Sequence, residues 1–60
     1  MIRLLIADDE SLERRAIKNI ILKEYNSQVE FFEAKNGREA IEISDRVKPD
    51  IVIMDVKMPG

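Results

Sequence analysis

Two short apolar runs constrain this chain more than anything else in it. One occupies residues 4–7 within the stretch Ile2–Ala7, the other is Ile51–Met54, and each stops at an aspartate, Asp8 and Asp55. Hydrophobicity that is continuous rather than alternating suits strands covered on both faces, as in a parallel sheet. Neither run approaches the roughly 20 residues that span a bilayer, and acidic residues follow the first too closely for a signal peptide. A soluble, cytoplasmic protein is expected.

Between the runs, Leu12, Ala16, Ile17, Ile20 and Ile21 recur at helical spacing, with Glu13, Arg14, Lys18 and Lys23 on the other side. Ser11 can cap this helix and the pair Asn26-Ser27 can end it. A weaker strand follows at Val29–Ala34, where Glu30 and Glu33 break the pattern as an edge strand tolerates. Asn36 with Glu39 three residues on is a capping-box start for a second helix carrying Ala40, Ile43 and Val47. Lys48-Pro49-Asp50 stops it. The spacing predicts strands over 2–7, 29–34 and 51–55 and helices over 11–25 and 37–47. Such alternation argues for a parallel α/β sheet with right-handed crossovers. Sixty residues make one domain the upper limit, and the last strand stands close to the end of the sequence, so the chain reads as part of a domain.

The composition narrows the chemistry. With no cysteine and no histidine there is no disulfide, no zinc thiolate site and no serine–histidine triad. Ten basic residues against twelve acidic ones, a net of -2, give no case for direct nucleic-acid binding. What remains is carboxylates, lysine, hydroxyls and backbone.

Asp8 and Asp9 follow the first strand and Asp55 follows the last. If those strands are neighbours, about 4.8 Å apart, the three carboxylates crowd the carboxyl-end crevice where open α/β sheets bind ligands. At an effective dielectric of 20, two unit charges about 5 Å apart repel by roughly 3 kcal/mol. With only oxygen ligands at hand, a hard cation such as Mg2+ is the natural neutraliser. Taken alone, Asp8-Asp9 is as readily a turn and a helix cap, and a lone Asp55 is an ordinary turn residue. The combination is the specific signal.

The segments Leu5-Ile6-Ala7-Asp8-Asp9-Glu10, Ala34-Lys35-Asn36-Gly37-Arg38-Glu39-Ala40, Lys48-Pro49-Asp50-Ile51-Val52-Ile53-Met54-Asp55 and Met58-Pro59-Gly60 resemble the receiver domain of two-component response regulators. The resemblance implies a flavodoxin-like (CheY-like) doubly wound parallel sheet of strand order 2-1-3-4-5, with only the first β-α-β-α-β portion here. It implies that Asp55 is the phosphoacceptor for a sensor histidine kinase. It also implies that Asp8, Asp9, Asp55 and the backbone carbonyl of Lys57 hold Mg2+. The family's later Ser or Thr, its Lys and its aromatic switch residue have no counterpart in these residues. The opening segment is similar to regulators with an AraC-type DNA-binding output, which would lie elsewhere in a parent protein.

The chain is thus expected to be a signalling phosphoacceptor rather than a turnover enzyme. The rival from the enzyme class is a Mg2+-dependent phosphatase with an aspartyl-phosphate intermediate. Many such enzymes carry a second aspartate two residues after the nucleophile, where this chain has Lys57 after Asp55 and Glu10 after Asp8. An inert structural fragment is the third reading. In the order 2-1-3 the apolar third strand forms an edge, and the chain is expected either not to fold stably as a monomer or to self-associate through Ile51–Met54.

Overall fold

In the computed structural model, residues 1–25 and 28–55 are described. The elements run β1 (Ile2–Ala7), α1 (Ser11–Tyr25), β2 (Val29–Ala34), α2 (Gly37–Val47) and β3 (Ile51–Met54). The sheet is parallel throughout, in the order β2-β1-β3. The third strand closes at Met54, one residue short of the predicted span. Asp55 still donates its amide to the Ala7 carbonyl at 3.0 Å, so the last ladder bond is made although the residue has left the strand.

The central strand explains its own sequence. Leu4, Leu5, Ile6 and Ala7 are all at most 4% exposed. Leu5 and Ala7 point to one face and form the core with Ala34 and Ala40, against which Phe32 and Ile43 pack. Leu4 shares the opposite face with Ile21 of α1. A strand buried on both faces has no place for alternation. β3, the most apolar strand, is far less covered, with Ile51, Val52 and Met54 each about half exposed.

The first helix seats itself differently from the pattern read along it. Ile17, Lys18 and Ile21 are half-buried together with Arg14, whereas Leu12, Ala16 and Ile20 are exposed. The inward stripe is therefore 14, 17, 18 and 21, an i, i+3, i+4, i+7 face that begins with an arginine. Lys18 places its ammonium 5.6 Å from the Phe31 ring centre, a cation–π contact over β2. Ser11 is the first helical residue rather than the residue before the helix. The predicted stop at Asn26-Ser27 lies outside the described residues.

The second helix keeps the predicted cap. Asn36 is extended and its Oδ1 accepts from the Glu39 amide at 2.8 Å, while Glu39 Oε1 accepts from the Lys35 amide at 3.0 Å. At the other end Lys48 adopts a left-handed conformation, φ 52°, and donates its amide to the Ser44 carbonyl. Asp50 then ties the chain to β1: its amide donates to the Arg3 carbonyl at 2.8 Å, and its carboxylate accepts from the Arg3 amide at 2.9 Å. The Arg3 guanidinium reaches the Val47 carbonyl at 2.6 Å. These bonds set where β3 starts, and hence which residue arrives opposite Asp8.

Lys48 meets the steric penalty of the left-handed region, which glycine avoids. Lys48→Gly should raise stability by about 1 kcal/mol, and Asn36→Ala should lower it by about 1 kcal/mol through loss of the cap. Urea unfolding midpoints of the two variants check both signs.

Candidate functional site

The site is built by register. Ala7 of β1 pairs with Ala34 on one side and Met54 on the other, so Asp8 and Asp55 leave adjacent strands at the same level. The Asp8 amide donates to the Ala34 carbonyl and the Asp55 amide to the Ala7 carbonyl, both at 3.0 Å. Asp8 is 3% exposed, Asp9 is exposed and Asp55 is half-buried. One carboxylate oxygen from each of Asp8, Asp9 and Asp55 lies within 4.8 Å of the other two.

Oxygen ligands of an octahedral ion at about 2.1 Å sit about 3 Å apart as neighbours and about 4.2 Å apart across the ion. Three carboxylate oxygens within 4.8 Å of one another can converge on one small hard cation by side-chain adjustment. The donor set fits Mg2+ in kind, being entirely oxygen. Lys57, the remaining residue expected at the site, lies outside the described residues.

Burying Asp8 among other acids is offset by hydrogen bonds. Its Oδ1 accepts from the Glu10 amide at 2.9 Å. That bond, followed by one from the Glu13 side chain, holds the Asp8 carboxyl below its ordinary value of 3.8 against the opposing effect of burial, with smaller help from Asp9 and Arg14. Glu13 is affected in the opposite sense. Its hydrogen bond to Asp8, reinforced by the negative charges of Asp8, Glu10 and Asp55, pushes its carboxyl up to about 7. Below about pH 7, Glu13 holds a proton that it donates towards Asp8.

Residues 4–60 match the response regulator receiver domain family. The chain belongs to that family. Over 59 residues this receiver domain is 49% identical to the chemotaxis protein CheY of Listeria monocytogenes, covering 98% of the chain and 48% of that protein. Over 59 residues it is 43% identical to a protein-glutamate methylesterase/protein-glutamine glutaminase of Methanococcoides burtonii, covering 98% of the chain and 16% of that protein. A methylesterase/glutaminase of Vibrio vulnificus is 44% identical, with 97% of the chain and 15% of that protein covered. The chain thus spans about half the length of the CheY protein and about a sixth of the two larger ones. The parallel three-stranded sheet with its β-α-β-α-β order is that of a receiver domain. No helix among the described residues is long and apolar enough to cross a membrane.

Two residues of the receiver domain's acidic end escape the sequence reading. Arg14, expected on a solvated helix face, has a side chain only 15% exposed. Its Nε donates to Glu33 Oε1 at 2.9 Å and its terminal nitrogen donates to the Asp8 carbonyl at 2.6 Å. Glu13 joins the cluster from the first turn of α1. The available signal was spacing: Arg14 stands on the stripe of Ile17 and Ile21, where a solvated residue is out of place.

The Glu13 proton has a measurable consequence. Between 4.5, the ordinary value of a glutamate, and about 7, the folded chain holds a proton on Glu13 that the unfolded chain has released. Stability of the metal-free chain should therefore fall as pH rises through that window and level off above it. The lowered Asp8 value acts the other way, withdrawing stability only as pH falls below 3.8. Glu13→Gln should flatten the fall, which urea midpoints at about pH 5 and about pH 8 in the presence of a chelator will read.

Proposed function

We propose that this receiver domain accepts a phosphoryl group on Asp55 from a sensor histidine kinase in the cytoplasm. Asp8, Asp9 and Asp55, with the Lys57 backbone carbonyl, hold Mg2+ beside the acceptor. The single observation that carries this reading is the approach of three carboxylate oxygens to within 4.8 Å at the carboxyl end of adjacent parallel strands. Family membership supports it.

Phosphoryl transfer asks a protein for positioning and charge neutralisation more than for covalent chemistry. Asp55 supplies the nucleophilic oxygen. The new bond joins that oxygen to phosphorus, the bond from phosphorus to the kinase's histidine nitrogen breaks, and the imidazole leaves with the electron pair. Bound Mg2+ supplies neutralisation of the charge on the phosphoryl oxygens and the acidic cluster. Asp8, anchored through its amide and its Oδ1, would present a fixed oxygen to the ion, and exposed Asp9 would supply a second ligand.

The domain acts by stoichiometric self-phosphorylation rather than turnover, and the signal passes to an output outside these residues. The names of the relatives speak of chemotaxis and glutamate methylesterase, not of transcription.

Mg2+ at ten times its dissociation constant should stabilise the chain by roughly 1.4 kcal/mol. Thermal melts with and without millimolar Mg2+ check this, and an unchanged midpoint sinks the metal site. Asp55→Asn should abolish labelling by a small-molecule phosphodonor, read by intact mass. Persistent labelling in that variant rules out Asp55 as acceptor.

A further inference from the structure

Asp8 is held from three directions, and the one hold on the Asp8–Asp9 peptide itself comes from a side chain of α1. The Asp8 amide is fixed by the Ala34 carbonyl and the Asp8 carboxylate by the Glu10 amide. The Asp8 carbonyl, whose orientation sets the plane of the peptide that carries Asp9, is fixed by the Arg14 guanidinium at 2.6 Å. Arg14 is in turn anchored at 2.9 Å to Glu33, near the end of β2. The guanidinium has two acceptors in two directions, which suits its planar fork and not the point charge of a lysine.

On the reading that this acidic end holds Mg2+, we propose that Arg14, braced by Glu33, is a positioning residue that sets the site's preference for Mg2+ over Ca2+. Turning the Asp8–Asp9 peptide swings the Asp9 side chain while leaving the anchored Asp8 carboxylate in place. Mg2+ demands near-octahedral ligands at 2.0–2.1 Å, whereas Ca2+ accepts six to eight ligands at 2.3–2.6 Å in flexible arrangements. A loosened peptide therefore costs Mg2+ more than Ca2+. The charge of Arg14 acts in the opposite way: it repels both divalent ions alike, so its removal strengthens both and leaves their ratio unchanged. The ratio of affinities isolates the positioning role from charge and from general stability.

The test is a pair of titrations, Mg2+ alone and Ca2+ alone, followed by amide chemical shifts in the full chain at a temperature where each variant is folded. Arg14→Lys keeps the charge and loses the fork, and the Mg2+/Ca2+ affinity ratio should fall about tenfold, at the lower end of what partners behind metal ligands contribute. Glu33→Ala, at an exposed sheet-edge position, keeps the guanidinium and removes its anchor. It should lower the ratio about threefold, and it provides the measurement if Arg14→Lys does not fold. A ratio unchanged in the folded variants, or equal gains for both ions in Arg14→Gln, overturns the positioning role while leaving the metal site intact. Failure of the unsubstituted chain to take up either ion overturns the metal reading and this inference with it.

Discussion

Everything in this fold depends on β1 being paired on both edges and covered on both faces. A strand in that position can carry no polar side chain along its buried stretch, and residues 4–7 carry none. The same burial fixes the register, since a one-residue slip would turn Leu5 and Ala7 away from Ala34 and Ala40. Once Ala7 is level with Ala34 and Met54, the residues that follow have no freedom over where they emerge. The acidic cluster is a consequence of hydrophobic register.

That origin explains why the strands and helices were legible and several contacts were not. The runs that end at Asp8 and Asp55, the capping pair Asn36 and Glu39, and the break at Lys48-Pro49 each act locally, within a few residues of the feature they determine. The approach of Asp8, Asp9 and Asp55 was legible because a parallel sheet turns two sequence positions into one place. Arg14 was not. Its two acceptors lie on the Asp8 carbonyl and on Glu33, 19 residues away, and only its place on the stripe of Ile17 and Ile21 sets it apart from the exposed Arg15. The outward stripe of Leu12, Ala16 and Ile20 was misread for a related reason. A fifteen-residue helix with apolar residues on more than half its circumference has two candidate faces, and the crossing over β1 and β2 selects between them.

β3 shows the limit of arguing burial from composition. Its four residues are all apolar, yet Ile51, Val52 and Met54 are each about half exposed here. Its position is secured from outside its own side chains: the Arg3–Asp50 bonds start it and the Asp55 amide ends it against Ala7. The Asp55 bond is hard to strip because the buried Ala7 carbonyl has no water to turn to, whereas the Arg3–Asp50 bonds lie at the exposed start of β1. This is how a lightly covered strand can still deliver Asp55 to a fixed point.

The acidic end then sets two demands against each other. Asp8 is held at its amide, its carboxylate and its carbonyl by three different partners, and so it cannot move away from the charges beside it. Close to the cluster's carboxylates stand a proton that Glu13 holds below about pH 7 and the Arg14 guanidinium, which also binds Glu33. A loop free to relax would spread its carboxylates into water and lose little. A loop held in place retains the repulsion, and relief of that repulsion is what the proposed divalent cation would supply. A fixed Asp8 and three carboxylates brought together in the same few residues are what distinguish this strand end from an ordinary acidic turn.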